Sequence, residues 1–318
     1  MALYAANNIK TAVDNFEDRG YGYIETKNVR TDFNGVSDTD INRAKYFMEL
    51  WENKSVTSII MATGGDFLMN ILEYLDFDKI KNGKIKWIQG YSNITTLSFV
   101  LTTMLDIATI YGPNIKAFGM KELYRNLKDS ISIMEGKDVI QKSFEKCEDV
   151  NNWSERKNAT ERYYLPIDTK WKNLRGEEKA CFKGRSIGGC MDDIMNLVGT
   201  KYDNVVQYIN RYKEDGIVWF LEIYEMSTSQ IIRSLWQMKN AGYFNYCNGI
   251  VFGRPLFVKE EYNKKYKDAL EESFKDMKIP VIYDIDIGHV APQMSIVNGA
   301  ILEVEYNNGK GTLRNILK

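Results

Sequence analysis

Apolar positions along the chain switch repeatedly between helical and strand periods. Ile9, Ala12, Val13 and Phe16 recur at helical spacing and Gly20 follows as a stop, which predicts a first helix. Ser37 or Asp38 is placed to cap a second, with Ile41, Ala44, Phe47, Met48 and Trp51 as its apolar face. A short β-type run from Val56 to Ala62 enters Thr63-Gly64-Gly65, and a helix is predicted over 66–75. Ile85 to Gln89 reads as a buried strand that runs into Gly90-Tyr91-Ser92-Asn93, with a helix starting near Thr95. Beyond 136 the periodicity dissolves. It resumes with strands over 216–223, 249–252, 279–283 and 300–306 and helices over 228–241 and 260–276.

Strands alternating with helices predict an α/β fold, a parallel sheet flanked by helices. The expected organisation is an N-terminal α/β domain over 1–136, an irregular linker or substrate loop over 137–189, and a C-terminal domain over 190–318 built around β-strands. Ligands of such sheets bind beyond the carboxyl ends of strands, where Gly64-Gly65 and Gly90 to Asn93 fall.

Composition narrows the chemistry. With 44% hydrophobic and 27% charged residues, 318 residues can bury a large core without disulfide or metal. A balance of 42 basic against 43 acidic residues, without basic blocks, argues against a nucleic-acid partner held by phosphate contacts. No apolar run is long enough to span a bilayer and no signal-peptide pattern opens the chain, so a cytoplasmic protein without a membrane partner is expected. Cys147, Cys181, Cys190 and Cys247 lack zinc-site spacing and read as free thiols. The one histidine, His289, cannot supply the two or three imidazoles a catalytic zinc wants, so neither metal nor organic cofactor is expected.

Three positions can carry a reaction. Ser92, after a glycine at a strand-to-helix turn, suits an exposed nucleophile or a helix N-cap. The GxSxG signature of ordinary α/β-hydrolases is not met, because Ile94 occupies the second glycine position. Glu222 ends an apolar strand and needs a partner there, with Glu225 as the competing carboxylate. His289 follows Gly288 at the end of a strand pattern and is either a base or an ordinary loop histidine. Together they give a nucleophile, an orienting acid and a base in the order Ser…Glu…His. Gly64-Gly65 offers backbone N–H groups to an oxyanion, or is a tight turn that needs positive φ.

The same residues carry a resemblance. Gly64-Gly65, Leu75-Asp76, Gly90-Tyr91-Ser92-Asn93-Ile94-Thr95 and Tyr111-Gly112-Pro113 resemble the N-terminal half of the LD-carboxypeptidase family of serine peptidases. Residues 184–190 and 199–200, Phe220-Leu221-Glu222, the run from Gly249 to Arg254, and Asp286-Ile287-Gly288-His289-Val290-Ala291-Pro292 resemble the rest. The Asp-x-Gly-His-x-x-Pro arrangement is similar to the branch of microcin C immunity proteins.

The resemblance implies Ser92 as nucleophile, Glu222 as orienting acid, His289 as base, and an oxyanion hole from the N–H groups of Gly65 and Asn93. It also implies a homodimer. The substrate would be a small peptide or aminoacyl-nucleotide amide, or in the alternative a murein tetrapeptide; a non-catalytic binding protein with a retained cleft is a third reading. Two departures stand out. Asn93 replaces the family's usual aspartate. The family also begins with a strand and a serine-containing turn, whereas this chain starts at what resembles the following helix. Losing that strand would expose backbone groups and apolar surface, so either a shorter variant compensates or the chain is truncated, with its activity in question.

Trp153, Tyr163, Tyr164 and Trp171 lie near Arg156, Lys157 and Arg162, a mixture suited to a planar base beside an anionic linkage. The alternative is that these aromatics pack a junction. Trp153 is the chosen substrate-stacking residue, with Gly64 also lining the substrate site.

Overall fold

The computed structural model describes residues 2–151 and 162–317, with side chains from Ile9 onward. Helices α1 (Ala2–Glu17) and α2 (Asp40–Glu52) follow the predicted spacing. Thr39, rather than Ser37 or Asp38, caps α2 by accepting from the Asn42 N–H. The buried face of α2 is Ala44, Phe47 and Trp51, and Ile41 is exposed.

Strands β1 (Ser58–Ile60), β2 (Trp87–Gly90) and β3 (Thr109–Tyr111) pair in parallel. Between them run a 3-10 turn over Leu68–Tyr74, where a full helix was expected, and helices α3 (Phe77–Asn82) and α4 (Thr95–Leu105). Helix α5 (Arg125–Met134) follows.

The segment 137–189 is not an irregular linker. It carries β4 (Ile140–Lys142), β5 (Lys146–Cys147), β6 (Ile167–Asp168), β7 (Lys172–Asn173) and the long β8 (Lys179–Cys190). In β8 the first residues alternate with exposed Lys179, Cys181 and Lys183, and the last five are buried but include Gly188 and Gly189. Glycines give no hydropathy signal, so the most central strand of the segment left no periodicity to read.

Helices α6 (Met191–Ile194), α7 (Val205–Arg211), α8 (Thr228–Asn240) and α9 (Tyr266–Phe274) interleave with β9 (Ile217–Glu222), β10 (Cys247–Gly253) and β11 (Val281–Ile285). The chain then adds β12 (Ile296–Asn298), β13 (Ile301–Asn307) and β14 (Lys310–Ile316). The larger sheet has the order β4-β14-β13-β8-β9-β10-β11-β7, with β8 to β11 parallel and its flanks antiparallel. Strand β12 leaves it and pairs antiparallel with β3, so the smaller sheet is closed by the far end of the chain.

Helix α4 packs against both β3 and β8 and is buried almost throughout. One apolar cluster runs from Phe47 and Trp51 through Phe99 to Trp219, Phe252 and Phe274. A second lines the other face of the large sheet, with Trp171, Phe220, Val251 and Leu302.

Among the described residues β1 is the outermost strand of the smaller sheet. In the β1–β2 ladder Thr57 accepts from Trp87 and Met61 donates to Gln89, so by parallel alternation the N–H and C=O groups of Ser58 and Ile60 point away from β2. A cavity of about 820 Å3 lies there, lined by Val13 and Phe16 of α1, by Ile24, and by Ile59, Trp87 and Met134.

Candidate active site

Both parallel sets of strands direct their carboxyl ends at one place. Ser92 follows β2, Gly64-Gly65 follow β1, Cys190 and Glu222 end β8 and β9 in register with each other, and His289 follows β11. Two sheets thus deliver five short pieces of chain to one end of their parallel strands.

Ser92 is half-buried and sits at φ +66°, left-handed backbone that a non-glycine residue rarely adopts. It opens the 3-10 turn Ser92–Ile94 that leads into α4, and its side chain caps neither element. The cap reading therefore fails. Gly64 has ordinary φ, and its glycine has another cause. A Cβ there would stand 2.9 Å from both Cβ and Oγ of Ser92, so only a glycine lets this loop lie against the serine. The N–H of Asn93 is in the first turn of its helix, where backbone donors lack intrahelical partners.

Glu222 is fully buried and His289 nearly so. His289 Nδ1 lies 2.9 Å from Glu222 Oε1 and 3.0 Å from Oε2. The Tyr111 hydroxyl donates to Oε1 at 2.6 Å. Burial pushes the Glu222 carboxyl up, but His289 first, then the Tyr111 and Cys190 donors, outweigh it and hold the carboxyl below its ordinary value. Burial and the neighbouring Glu222 push the Tyr111 phenol and the Cys190 thiol well above theirs, so both stay protonated donors. Gly288, at φ +94°, leaves the space for this pair: a Cβ there would meet Glu222 Oε2 at 2.6 Å. The competitor Glu225 is exposed, and its N–H donates to Asp192.

The loop bearing His289 hangs on a second buried pair. Arg254 Nη1 meets Asp286 Oδ1 at 2.5 Å, and Nη2 donates to the carbonyls of Val290 and Pro292 at 3.3 and 3.2 Å. Asp286 Oδ2 also accepts from the Trp171 indole at 2.6 Å and from the Phe144 N–H. Tyr91 and Tyr224 flank the imidazole with ring centroids 5.0 and 4.5 Å away.

Ser92 reaches the acid–base pair through two tyrosines. Its N–H lies 3.5 Å from the Tyr111 hydroxyl that serves Glu222, and its neighbour Tyr91 packs edge-on against His289.

Tyr111, Arg254 and Asp286 have roles that the sequence signalled only as members of motifs. Among the aromatics of 153–171, Trp153 lies outside the described residues with Arg156 and Lys157. Trp171 is buried in the core and Tyr163 packs on Tyr124, so packing accounts for those two, while Tyr164 is exposed. Among the described residues no group of three or more His, Cys, Asp or Glu is placed to hold a metal ion, and no helix is long and apolar enough to cross a membrane. The four cysteines form no disulfide.

Known proteins resemble this chain along nearly its whole length. The chain is 27% identical over 317 residues to the microcin C7 self-immunity protein MccF of Escherichia coli, covering 96% of this chain and 87% of that protein. A solved structure of MccF with aspartyl sulfamoyl adenosine superposes with a TM-score of 0.79 at 23% identity, covering 99% of this chain and 92% of the other. The muramoyltetrapeptide carboxypeptidase of Oxalobacter formigenes superposes at 0.73 and 18% identity, covering 97% and 94%. The fold is therefore the one these structures share. The LD-carboxypeptidase N-terminal domain matches residues 2–112 and the LD-carboxypeptidase C-terminal domain residues 183–304, together more than two thirds of the sequence. The chain belongs to the LD-carboxypeptidase family.

Proposed function

We propose that this protein is a serine hydrolase of amide bonds, with Ser92 as nucleophile, His289 as base and Glu222 as orienting acid. The observation that carries the reading is the buried Glu222–His289 contact at 2.9 Å, set beside a serine in left-handed backbone at the end of β2. Ser92 Oγ attacks the carbonyl carbon and its proton passes to the His289 nitrogen that does not face Glu222. The carbonyl oxygen becomes an oxyanion held by the N–H groups of Gly65 and Asn93. As the C–N bond breaks, His289 returns the proton to the leaving amine, and an acyl-enzyme on Ser92 remains. Water, deprotonated by His289, then attacks the ester and releases the acid and the free serine.

The favoured substrate is an amide joining an aminoacyl or peptidyl group to a nucleotide. It is supported by the sequence likeness to MccF, whose solved structures hold aspartyl sulfamoyl adenosine, glutamyl sulfamoyl guanosine and adenosine monophosphate. The likeness to a muramoyltetrapeptide carboxypeptidase supports the murein tetrapeptide as the second candidate. A homodimer, tested by light scattering in solution, belongs to the same proposal.

The deciding experiment presents the purified protein with an aminoacyl-sulfamoyl adenosine and with murein tetrapeptide, and treats it in parallel with a serine-directed phosphonate. Turnover of the nucleotide conjugate with stoichiometric labelling of Ser92 is expected. Faster turnover of the tetrapeptide would move the assignment to murein. Absence of both turnover and label would leave a binding protein.

A further inference from the structure

We infer that Asp193 is a positioning residue for the nucleophile, acting through the side chain of Asn93. This rests on the serine-hydrolase reading and adds a part to it. Asn93, directly after Ser92, is buried, and its amide is bonded at both ends. Its Oδ1 accepts from the Leu68 N–H at 2.8 Å, and its Nδ2 donates to Asp193 Oδ1 at 2.5 Å.

A backbone N–H can only donate, so Leu68 fixes which end of the amide is oxygen. The other end must then face an acceptor, and Asp193 is that acceptor. One side chain thereby ties three pieces of chain that are far apart in sequence: the turn bearing Ser92, the loop running from Gly64 to Leu68, and the junction of β8 with α6. Two of these are the pieces that must hold still, since Gly64 lies against Ser92 and the N–H of Gly65 is its neighbour.

Asp193 is an unfavourable place for a charge. It is buried, and Cys190, Asp192 and Glu222, from β8, α6 and β9, face it; burial first, then Asp192 and Glu222, push its carboxyl up to about 6 against the bonds from Asn93 and Cys190. An apolar residue would suit that surrounding better, except that it would leave the Asn93 amide without its acceptor.

The arrangement can be exchanged end for end. In Asn93→Asp, the new carboxylate still accepts from Leu68 but confronts Asp193, and two facing carboxylates can coexist only by sharing a proton. In the double variant Asn93→Asp/Asp193→Asn, the amide at 193 donates to the carboxylate at 93 and the bridge re-forms with reversed polarity.

The readout is the rate of phosphonate labelling of Ser92, resolved into reagent affinity and maximal rate, with a thermal melt of each variant. Asn93→Asp is expected to lower the maximal rate at pH 8 at least tenfold with affinity little changed. Its rate relative to the unaltered protein at the same pH should rise as pH falls from 8 to 5.5. Asp193→Ala should lose a similar factor without that pH dependence, and the double variant should recover to within about threefold of the unaltered protein.

A double variant that folds yet labels no faster than Asn93→Asp, or an Asn93→Asp protein that labels at the full rate at pH 8, overturns the inference. If Asn93→Asp does not fold, the double variant and Asp193→Ala decide the matter on the same criteria. Failure of the unaltered protein to label at Ser92 is a different result, and it removes the serine-hydrolase reading itself.

Discussion

The two halves of the site are held in different ways. On the base side, Glu222 and His289 sit among buried bonds: Tyr111 donates to Glu222, and the Arg254–Asp286 pair grips the loop of His289 with help from Trp171. On the nucleophile side, Ser92 is held in left-handed backbone by a glycine loop pressed against it and by one bridging amide, and β1 is the outermost strand of its sheet among the described residues. Burial and charge pairing build the proposed acid and base. Backbone shape builds the proposed nucleophile. Damage to the first half should therefore appear as lost stability and altered pH response, and damage to the second as lost rate.

The largest effect comes from removing a reacting atom. Ser92→Ala should abolish turnover by about 10^6-fold while the melting temperature stays nearly unchanged, because the Ser92 side chain caps neither the 3-10 turn nor α4. His289→Ala should match it in rate but also lose stability, since it leaves the buried Glu222 without its main partner. Equal stability of the two variants would break the contrast between the halves.

Hydrogen exchange tests the same contrast in the backbone. Strand β9 is flanked by β8 and β10 and is buried along its whole length, whereas the outer groups of Ser58 and Ile60 face the cavity beside β1. The amides of Ser58 and Ile60 should exchange on the order of 10^3-fold faster than those of Val218 to Leu221. Comparable protection would mean that the β1 edge is covered.

Most of this was legible before the structure, but unevenly. Strands such as Ile217–Glu222 announced themselves because burial on both faces makes a continuous apolar run. Strand β8 did not, since Cys181 stands among its exposed positions and glycines among its inner ones, which blurs the alternation in hydropathy. The Glu222–His289 contact was readable from chemistry, because only one imidazole exists and a carboxylate ending a buried strand must be partnered. Tyr111 and Asp193 were not. A tyrosine in a three-residue strand and one aspartate of a pair look like ordinary core and surface until the fold brings them to Glu222 and Asn93 across 111 and 100 residues of sequence. The aromatic cluster divides: the Trp171 indole serves Asp286 inside the core, as the packing alternative has it, while Trp153 lies outside the described residues.

A smaller effect follows from taking away the Tyr111 hydroxyl. Tyr111→Phe keeps the ring's packing against Phe220 but leaves Glu222 one donor short. A hydrogen bond to a charged group contributes about 1.5–3 kcal/mol, and that stability should be lost at neutral pH. The sign with pH is fixed by direction: the Glu222 carboxyl is held low in the folded chain, so its contribution is present above the ordinary carboxyl range and disappears as pH falls through the folded value. Without the phenol that value rises, so the variant should unfold at a higher pH during acid titration followed by circular dichroism. An unchanged acid midpoint would mean that the phenol does not support the carboxylate.

The smallest effect is a stabilisation, and it comes from the nucleophile side. Burial raises the Asp193 carboxyl from 3.8 to about 6, so between these values the folded chain keeps a proton that the unfolded chain gives up. Stability linked to this group therefore falls as pH climbs from about 4 to about 6 and stays lowered above that range. Two pKa units correspond to about 3 kcal/mol, the ceiling of what removing the charge can return. Asp193→Asn removes it while keeping an acceptor for Asn93, but exchanges a charge-assisted bond for a neutral one, which takes back roughly half. The net expectation is about 1–2 kcal/mol of added stability at pH 7.5, seen as a rise of a few degrees in melting temperature, with no gain at pH 4. The same substitution should leave the phosphonate labelling rate equal to or below that of the unaltered protein, because the charge that weakens the fold holds the amide beside Ser92. A melting-temperature gain of equal size at both pH values would show that Asp193 is ionised in neither or in both, and that its charge is not what this corner of the site is built around.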